Sequence, residues 1–379
     1  MNILFFTHEK SYGGASRALV TLIKDLNDKH NIYVVVPFKN ALIVEELKKL
    51  NVEVISCFYS WWQVPVNISF IYKIMYKVAY LLNFFSYRYL LSKIKKLNID
   101  IIHSNTSVID IGVKVANKLK IPHVWHFREF TGKHLKFIKG DDSSYKFINN
   151  SKSKIVYISN AIKNFYEENI NRDLGILIYD GVSEEFLDNK KYNKEKKITF
   201  LLVGTLEKNK GQEVAIRAVR ELSNRGVNNF KLLLAGGDPT GYSQYLLDLI
   251  KNFKISERVE YIGFVSDMKK LRKRVDVELM CAPSEAFGLV TVEAMLAGNL
   301  VIGSDSGATS ELIKDGVNGY LYQLNDEVDL ADKMEKIIKN SNLLKSMGNK
   351  AKEYALNNFT SKRHSDEIIK LYDELLREK

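Results

Sequence analysis

The chain has 379 residues, enough for two domains with a core each, and 46% hydrophobic against 27% charged residues is an ordinary globular balance. Two cysteines, Cys57 and Cys281, exclude a disulfide framework and a cysteine-based metal site, and a reducing compartment is expected. The formal charge of +11 is lopsided: residues 1–180 carry 25 Lys and Arg against 15 Asp and Glu, residues 181–379 carry 31 against 30, and an anionic partner is expected for the first half.

The opening MNILFFTHEK has no basic leader. Residues 3–6 read as a buried strand, not a signal peptide. The segment 8–16 follows, with Gly13 and Gly14, and then a helical pattern over 17–27. Strand, glycine turn and helix is a ligand-binding geometry of doubly wound sheets. Further strands are predicted over 32–36, 52–56, 99–104, 121–126 and 154–159. Repeated strand–helix units imply a parallel sheet.

Between Glu53 and Asp100 there is no acidic residue. Residues 68–97, ISFIYKIMYKVAYLLNFFSYRYLLSKIKKL, mix Lys73, Lys77, Arg88, Lys93, Lys95 and Lys96 with Phe, Tyr and Leu. The longest uncharged run, 78–87, is far short of the roughly 20 residues a spanning helix needs. Trp61 and Trp62 precede it, near Pro65. Two readings stay open. One is a core-facing helix pair with solvated basic faces. The other is an interfacial element that sets aromatics among lipid headgroups and pairs its lysines with anionic lipid. The charge of the first half favours the second. Nucleic acid is not expected, because no binding motif is present.

His126 closes the strand predicted over 121–126, at the sheet end where open α/β sheets bind ligands. A histidine there is either structural or a hydrogen-bond donor and proton shuttle. Arg128 and Glu129 follow, placed to orient His126, to touch a substrate or to pair with each other.

A charged, poorly apolar stretch over 188–197 reads as a linker, after which the pattern restarts. Strands are predicted over 198–203, 231–236, 259–262, 275–280 and 300–302. A loop over 204–211 precedes a helix to about residue 224, and beyond 319–322 the chain reads as helical. Residues 284–312, SEAFGLVTVEAMLAGNLVIGSDSGATSEL, hold Glu285 and Glu293 eight apart. Leu289, Val292, Met295 and Leu296 recur at helical spacing, with Gly288 before and Gly298 after as start and stop. Such a helix presents free amides and a partial positive charge beside Glu285, a site for phosphate. Two glutamates at this spacing are also ordinary on a solvated helix face.

With Phe287, Gly288 and the segment 303–308, this stretch resembles the donor-site motif of the retaining glycosyltransferases of family 4, and the likeness extends over nearly the whole chain. The resemblance implies an α/β fold of the GT-B class: two Rossmann-like, doubly wound parallel-sheet domains facing across a cleft. The N-terminal, acceptor-binding domain is expected over 1–185, with the basic aromatic segment at about 61–97 facing a membrane. The nucleotide-sugar domain is expected over 186–358, and a helix over 359–379 crosses back to the first. Implied roles are Glu285 at the donor-sugar hydroxyls and Glu293 at the ribose. Lys210 and the amides of Gly288, Leu289 and Val290 meet the diphosphate, and Phe264 stands in the segment that meets the base. Phe287 lines the site, His126 supports the sugar and the reaction centre, and Gly13, Gly14 and Arg128 contact donor or acceptor. Thr205 stands where the family's diphosphate loop usually carries Arg, and a threonine gives one hydrogen bond where an arginine forks onto two oxygens.

The implied activity is retaining, metal-independent sugar transfer from a nucleoside-diphosphate sugar to a saccharide or lipid-linked acceptor, for a bacterial surface polysaccharide. No cofactor beyond the donor is expected. An anionic membrane surface is an expected partner, and the expected location is cytoplasmic, peripheral to the inner face of the cell membrane. Two alternatives carry the same fold: a sugar-nucleotide epimerase, and a non-catalytic partner subunit.

Overall fold

The computed structural model describes all residues except 132–134, 189, 191–196 and 379. The predicted linker over 188–197 therefore lies largely outside the described residues. Two compact units divide the chain, one of residues 1–181 and 361–379, the other of residues 182–360.

In chain order the first unit contains β1 (Asn2–Phe6), α1 (Gly14–Leu26), β2 (Asn31–Val36), α2 (Ile43–Lys49), β3 (Glu53–Ser56), β4 (Gln63–Pro65), α3 (Phe70–Ile94), β5 (Ile101–Ser104), α4 (Ile111–Leu119), β6 (His123–Phe127), β7 (Leu135–Phe137), α5 (Asp141–Asn149), β8 (Lys154–Tyr157), α6 (Asn160–Glu167) and β9 (Gly175–Leu177). The second contains β10 (Ile198–Val203), α7 (Gln212–Asn224), β11 (Phe230–Ala235), α8 (Tyr242–Asn252), β12 (Val259–Tyr261), α9 (Met268–Arg272), β13 (Val277–Met280), α10 (Leu289–Leu296), β14 (Leu300–Ser304), α11 (Thr309–Leu312), β15 (Gly319–Tyr322), α12 (Glu327–Lys339) and α13 (Asn342–Asn358). The last helix, α14 (Ser361–Arg377), belongs to the first unit.

The first sheet is parallel throughout, in the order β3-β2-β1-β5-β6-β8-β9. Its strands are apolar on both faces, as a sheet covered by helices on both sides requires. One core packs β1, β2 and β6 residues against α1, α2 and α14, the other packs Leu4, Phe6 and Ile102 against α3 and α4. α14 joins the first by a stripe of His364, Ile368, Leu371 and Tyr372 at helical spacing. Strands β4 and β7, which no apolar run announced, pair antiparallel outside this sheet.

The second sheet is also parallel, in the order β12-β11-β10-β13-β14-β15. Strand order reverses between β1 and β5 in the first sheet and between β10 and β13 in the second. Those reversals are where a doubly wound sheet opens a ligand crevice at its carboxyl end.

The basic aromatic segment folds as one helix of 25 residues, not as a helix pair. Its buried residues are Tyr80, Asn83, Leu90 and Ile94. Phe70, Ile71, Leu81 and Phe85 are each about two-thirds exposed or more, at 75%, 70%, 71% and 68%. The core-facing reading is thereby corrected: much of the apolar surface points outward. Polar clamps hold the helix. Asn83 exchanges hydrogen bonds with the Ser60 backbone at 2.7 and 2.9 Å, and the Tyr80 hydroxyl donates to Asp110 Oδ2 at 2.5 Å. Among the described residues no helix is long and apolar enough to cross a membrane.

Candidate functional site

In the second unit the reversal between β10 and β13 brings two loops together. The loop after β10 carries Gly204, Thr205 and Lys210; the loop after β13 carries Ser284, Glu285 and Gly288. Lys210 Nζ lies 3.8 Å from Glu285 Oε2, and both side chains are about one-third exposed. Close backbone approach makes the juxtaposition possible. Gly211 has φ +72°, and a Cβ there would meet the Cys281 carbonyl oxygen at 2.2 Å. Gly307 has φ +53°, and a Cβ there would meet the Glu285 carbonyl oxygen at 2.6 Å. Only glycine satisfies both demands at each place. The Ala308 amide then donates to the Glu285 carbonyl at 2.9 Å, which ties the segment 303–308 to this loop.

Helix α10 starts at Leu289, with Gly288 as its left-handed N-cap (φ +101°) and no side-chain cap. Leu289 and Val290 supply first-turn amides that precede any intrahelical bond. Ser284 Oγ and Thr291 Oγ1 are buried nearby in sequence without hydrogen-bond partners. The helix dipole, these donors and Lys210 make this sheet end cationic and donor-rich. Thr205 is exposed, and its carbonyl accepts from Gln212 Nε2 at 2.9 Å. Phe264, in the loop after β12, is 79% exposed.

Two expected site residues are found elsewhere. Glu293 is 3% exposed and takes a hydrogen bond from Arg272 Nη1 at 2.8 Å; the same guanidinium holds the buried Glu278 at 3.0 Å. The carboxylate expected at the ribose stands in an interior ion pair, with Oε2 on a buried cation. Phe287 is 2% exposed and packs edge-to-face on Phe359, so it is a core residue and not a site lining.

In the first unit the expectations divide as well. Gly13 is the N-cap of α1, but the helix end is filled from within. Glu9 Oε1 accepts from the Ser16 amide at 3.0 Å and from Ser16 Oγ at 2.8 Å. A Cβ at Gly13 would meet Glu9 Oε2 at 2.7 Å. The approach at Gly13 and Gly14 is therefore held by the chain's own carboxylate.

His126 lies in β6 and is fully buried. Its Nδ1 is 3.1 Å from His103 Nε2 and 3.4 Å from Arg128 Nη2. Arg128, 6% exposed, also donates to the Asn105 carbonyl at 3.1 Å and pairs with Asp180. Glu129 braces the loop after β5, accepting from Thr106 Oγ1 at 2.6 Å and Ser107 Oγ at 2.8 Å. The side chains of Arg128 and Glu129 thus take separate partners, and the bond between the two residues runs from the Arg128 amide to Glu129 Oε2 at 3.3 Å. Burial, with the Arg128 charge adding, holds His126 and His103 well below the ordinary imidazole value, so both are neutral. A ring nitrogen of His126, one of His364 and an oxygen of Asp180 lie within 4.8 Å of one another. Arg128 already compensates Asp180 there, unlike a metal cage built of anionic donors.

Beside the loop after β1 there is a groove of about 720 Å3 lined by His8, Lys10, Phe38, Phe58, Trp61 and Tyr76. Its aromatic walls run toward α3 through Tyr76.

Comparison with known proteins decides the family. Residues 183–354 match the family described as Glycosyl transferases group 1, and residues 12–186 match Glycosyltransferase Family 4. An uncharacterized glycosyltransferase of Methanocaldococcus jannaschii is 30% identical over 306 residues, 79% of this chain and 81% of that one. The chain belongs to the group 1, family 4 glycosyltransferases. A Campylobacter jejuni relative, GalNAc-alpha-(1->4)-GalNAc-alpha-(1->3)-diNAcBac-PP-undecaprenol alpha-1,4-N-acetyl-D-galactosaminyltransferase, is 26% identical over 99% of both chains. The Anabaena protein HepE, solved with UDP and glucose, superposes with a TM-score of 0.80 at 19% identity, over 99% of this chain and 100% of that one. The fold of this glycosyltransferase is GT-B.

Several residues of the glycosyltransferase were not expected from sequence. Glu9 stands four residues before Gly13, within reach of the helix end, and an acid so close to a glycine turn was a legible signal. His103 is the penultimate residue of β5 as His126 is of β6, and a histidine near the end of the run IIHS was the same signal. His364 and Tyr372 come from α14, more than 200 residues later in the chain, and only the fold brings them to β5 and β6.

Proposed function

We propose that this glycosyltransferase moves a sugar, with retention, from a nucleoside-diphosphate donor held by the second unit to a lipid-linked saccharide held by the first. The observation that carries the reading is Lys210 at 3.8 Å from Glu285, at a strand-order reversal and in the chain segment that opens α10. As the bond from the anomeric carbon to the diphosphate oxygen breaks, negative charge grows on the phosphate and positive charge on the sugar. Lys210 and the Leu289 and Val290 amides meet the first charge before it develops, which is where fixed dipoles act most strongly. Glu285 leaves Lys210 to the phosphate and accepts from the sugar hydroxyls. His126 supports the sugar as a neutral hydrogen-bond partner. The acceptor hydroxyl attacks from the face of the leaving group, a new carbon–oxygen bond forms, and the hydroxyl proton passes to the departing diphosphate oxygen. No metal cation enters these steps. The Anabaena neighbour, solved with UDP and glucose, supports a uridine donor.

The saccharide of the acceptor is assigned to the aromatic groove between His8 and Tyr76, and its lipid to the membrane beneath α3. The Campylobacter relative, named for an undecaprenol-linked acceptor, supports this, as do the outward Phe70, Ile71, Leu81 and Phe85 beside Lys73, Lys77 and Arg88. The enzyme then works at the inner face of the cell membrane in surface-polysaccharide synthesis.

The test is a panel of UDP-glucose, UDP-N-acetylgalactosamine and GDP-mannose in thermal-shift and turnover assays. The true donor at a hundred times its Kd adds about 2.7 kcal/mol of stability. Lys210→Ala and Glu285→Ala each lower turnover by roughly 10²–10³-fold, the loss typical of one electrostatic stabiliser. Near-normal turnover in both variants sinks the assignment. A purified protein that binds acceptor but releases no nucleotide supports instead the partner-subunit reading, for which the exposed Thr205 in place of Arg speaks. For the membrane, vesicles with anionic lipid should sediment the protein. Replacing Lys73, Lys77 and Arg88 by Ala weakens that partition on the order of 100-fold, at about 1 kcal/mol per base. Equal binding to neutral and anionic vesicles contradicts it.

A further inference from the structure

His126 sits at the end of a buried chain of rings that nothing in the proposed reaction uses directly. Tyr372 Oη, on α14, is 2.5 Å from His103 Nδ1, and His103 Nε2 is 3.1 Å from His126 Nδ1. All three side chains are fully buried. Each neutral imidazole carries one proton, so the chain has two directions. In one, His126 Nδ1–H donates to His103 and His103 to Tyr372, which leaves His126 Nε2 bare. In the other, Tyr372 donates to His103 and His103 to His126, which leaves the proton of His126 on Nε2.

Arg128 decides between them. Its guanidinium only donates, and its Nη2 lies 3.4 Å from His126 Nδ1. A proton on that nitrogen would face the Arg128 N–H with no lone pair to receive it. His126 Nδ1 is therefore the acceptor, His103 Nε2–H its donor, and the Tyr372 hydroxyl the donor to His103 Nδ1. We infer that Tyr372 and His103 are positioning residues that hold His126 in the tautomer with its proton on Nε2, ready to donate a hydrogen bond to the sugar or its leaving group.

His126 Nε2 is buried without a partner, which fits a donor waiting for an incoming oxygen. The importance of this to turnover rests on the sugar-contact role proposed for His126. The tautomer itself does not. The C-terminal helix thereby reaches the reaction through a hydrogen-bond chain rather than by touching substrate.

The deciding measurement is the imidazole nitrogen spectrum of the full-length, unliganded protein labelled with nitrogen-15 histidine, with His126 assigned from a His126→Gln variant. Nδ1 should resonate as a bare nitrogen and Nε2 as a protonated one. Both should hold from pH 8 to pH 6, since the groups facing the ring (His103, Arg128, Asp180, His364 and, through His103, Tyr372 and His123) keep it buried and neutral. A protonated Nδ1 in this spectrum overturns the inference. Kinetics give the second arm, read as UDP release from a UDP-hexose. His103→Leu lowers kcat about tenfold, the equivalent of one hydrogen bond, with little change in donor KM. His103→Gln, whose amide can place an N–H where Nε2–H stood, recovers most of it at a similar melting temperature. Full kcat in His103→Leu, with kcat abolished in His126→Ala, overturns the relay and leaves the sugar contact standing. The predicted spectrum with normal turnover in His126→Ala supports the relay and removes the role proposed for His126.

Discussion

Helices α1 and α10 each follow a strand that borders a reversal of strand order, one on either side of it, and their N-termini have opposite fates. The α1 end is closed by Glu9, whose carboxylate takes the Ser16 amide and hydroxyl. The α10 end has Gly288 as its cap and no side chain upon it, while the nearest carboxylate in the motif, Glu285, leans toward Lys210. Both ends attract an anion by the same dipole. What separates an internal joint from a ligand site is whether the chain supplies that anion itself. A glycine turn before a helix does not distinguish the two, and the carboxylate within reach does.

The same lesson divides the two glutamates of the motif, and the largest stability effect tests it. Glu293 is one arm of a buried triad with Arg272 and Glu278, and Asn299 Nδ2 adds a bond to Glu278 at 2.8 Å. Removing Glu293 leaves Arg272 paired with Glu278 but strands a buried N–H donor of the guanidinium, at a cost of about 3 kcal/mol for a charged group. Glu293→Ala should therefore move the urea midpoint strongly while the folded fraction still binds donor. Glu285→Ala should do the reverse. A Glu293→Gln protein that melts like the parent and yet loses donor affinity breaks this division and returns Glu293 to the ribose.

A second contrast lies in charge. Lys210 and Glu285 set ionised groups together in the second unit, while the first buries neutral histidines in its sheet. Burial pushes His123 down to about 3 and, with Arg128 adding, His364 down to about 4. In the unfolded chain both titrate near 6.5, so below that pH the unfolded state binds protons the native state refuses. Stability is complete above about pH 6.5 and falls as the pH drops toward the native values. At pH 5 the loss is about 2 kcal/mol for each histidine. Urea midpoints at pH 7.5 and pH 5 check it, and His123→Gln should flatten part of the slope. Midpoints that do not move would show that these rings are not neutral and buried.

The architecture was legible because its strands are short apolar runs spaced by helical patterns, and hydrophobic period is a local property. The start of α10 at Gly288 and the pairing of the loops that carry Lys210 and Glu285 followed from the glycines and the motif. Side-chain partners were not legible. Glu293 and Phe287 stand in that motif, yet whether each faces a crevice or the interior depends on Arg272 and Phe359, which come from other elements. In α3 the failure was of another kind. Its apolar residues lie nearly all round, so periodicity could not say which face is buried, and the helix is fastened by Asn83 and Tyr80 instead. Tyr372 and His364 reach His103 and His126 only through the path of the whole chain.

The smallest expected effect bears most directly on the pair of helix ends. Glu9→Ala removes a charged acceptor from the first turn of α1, which should cost about 1 kcal/mol, as the loss of a cap does. The cost alone would fit any capping residue. The discriminating step is to add inorganic phosphate. In the parent protein the α1 end is filled and phosphate should stabilise only through the α10 end, so Lys210→Ala abolishes the shift. In Glu9→Ala a second, weaker phosphate-dependent shift should appear that survives Lys210→Ala, because the vacated amides now accept an external anion. If the double variant shows none, Glu9 is an ordinary cap over an end that holds no anion, and the likeness drawn between the two helix ends fails at the first.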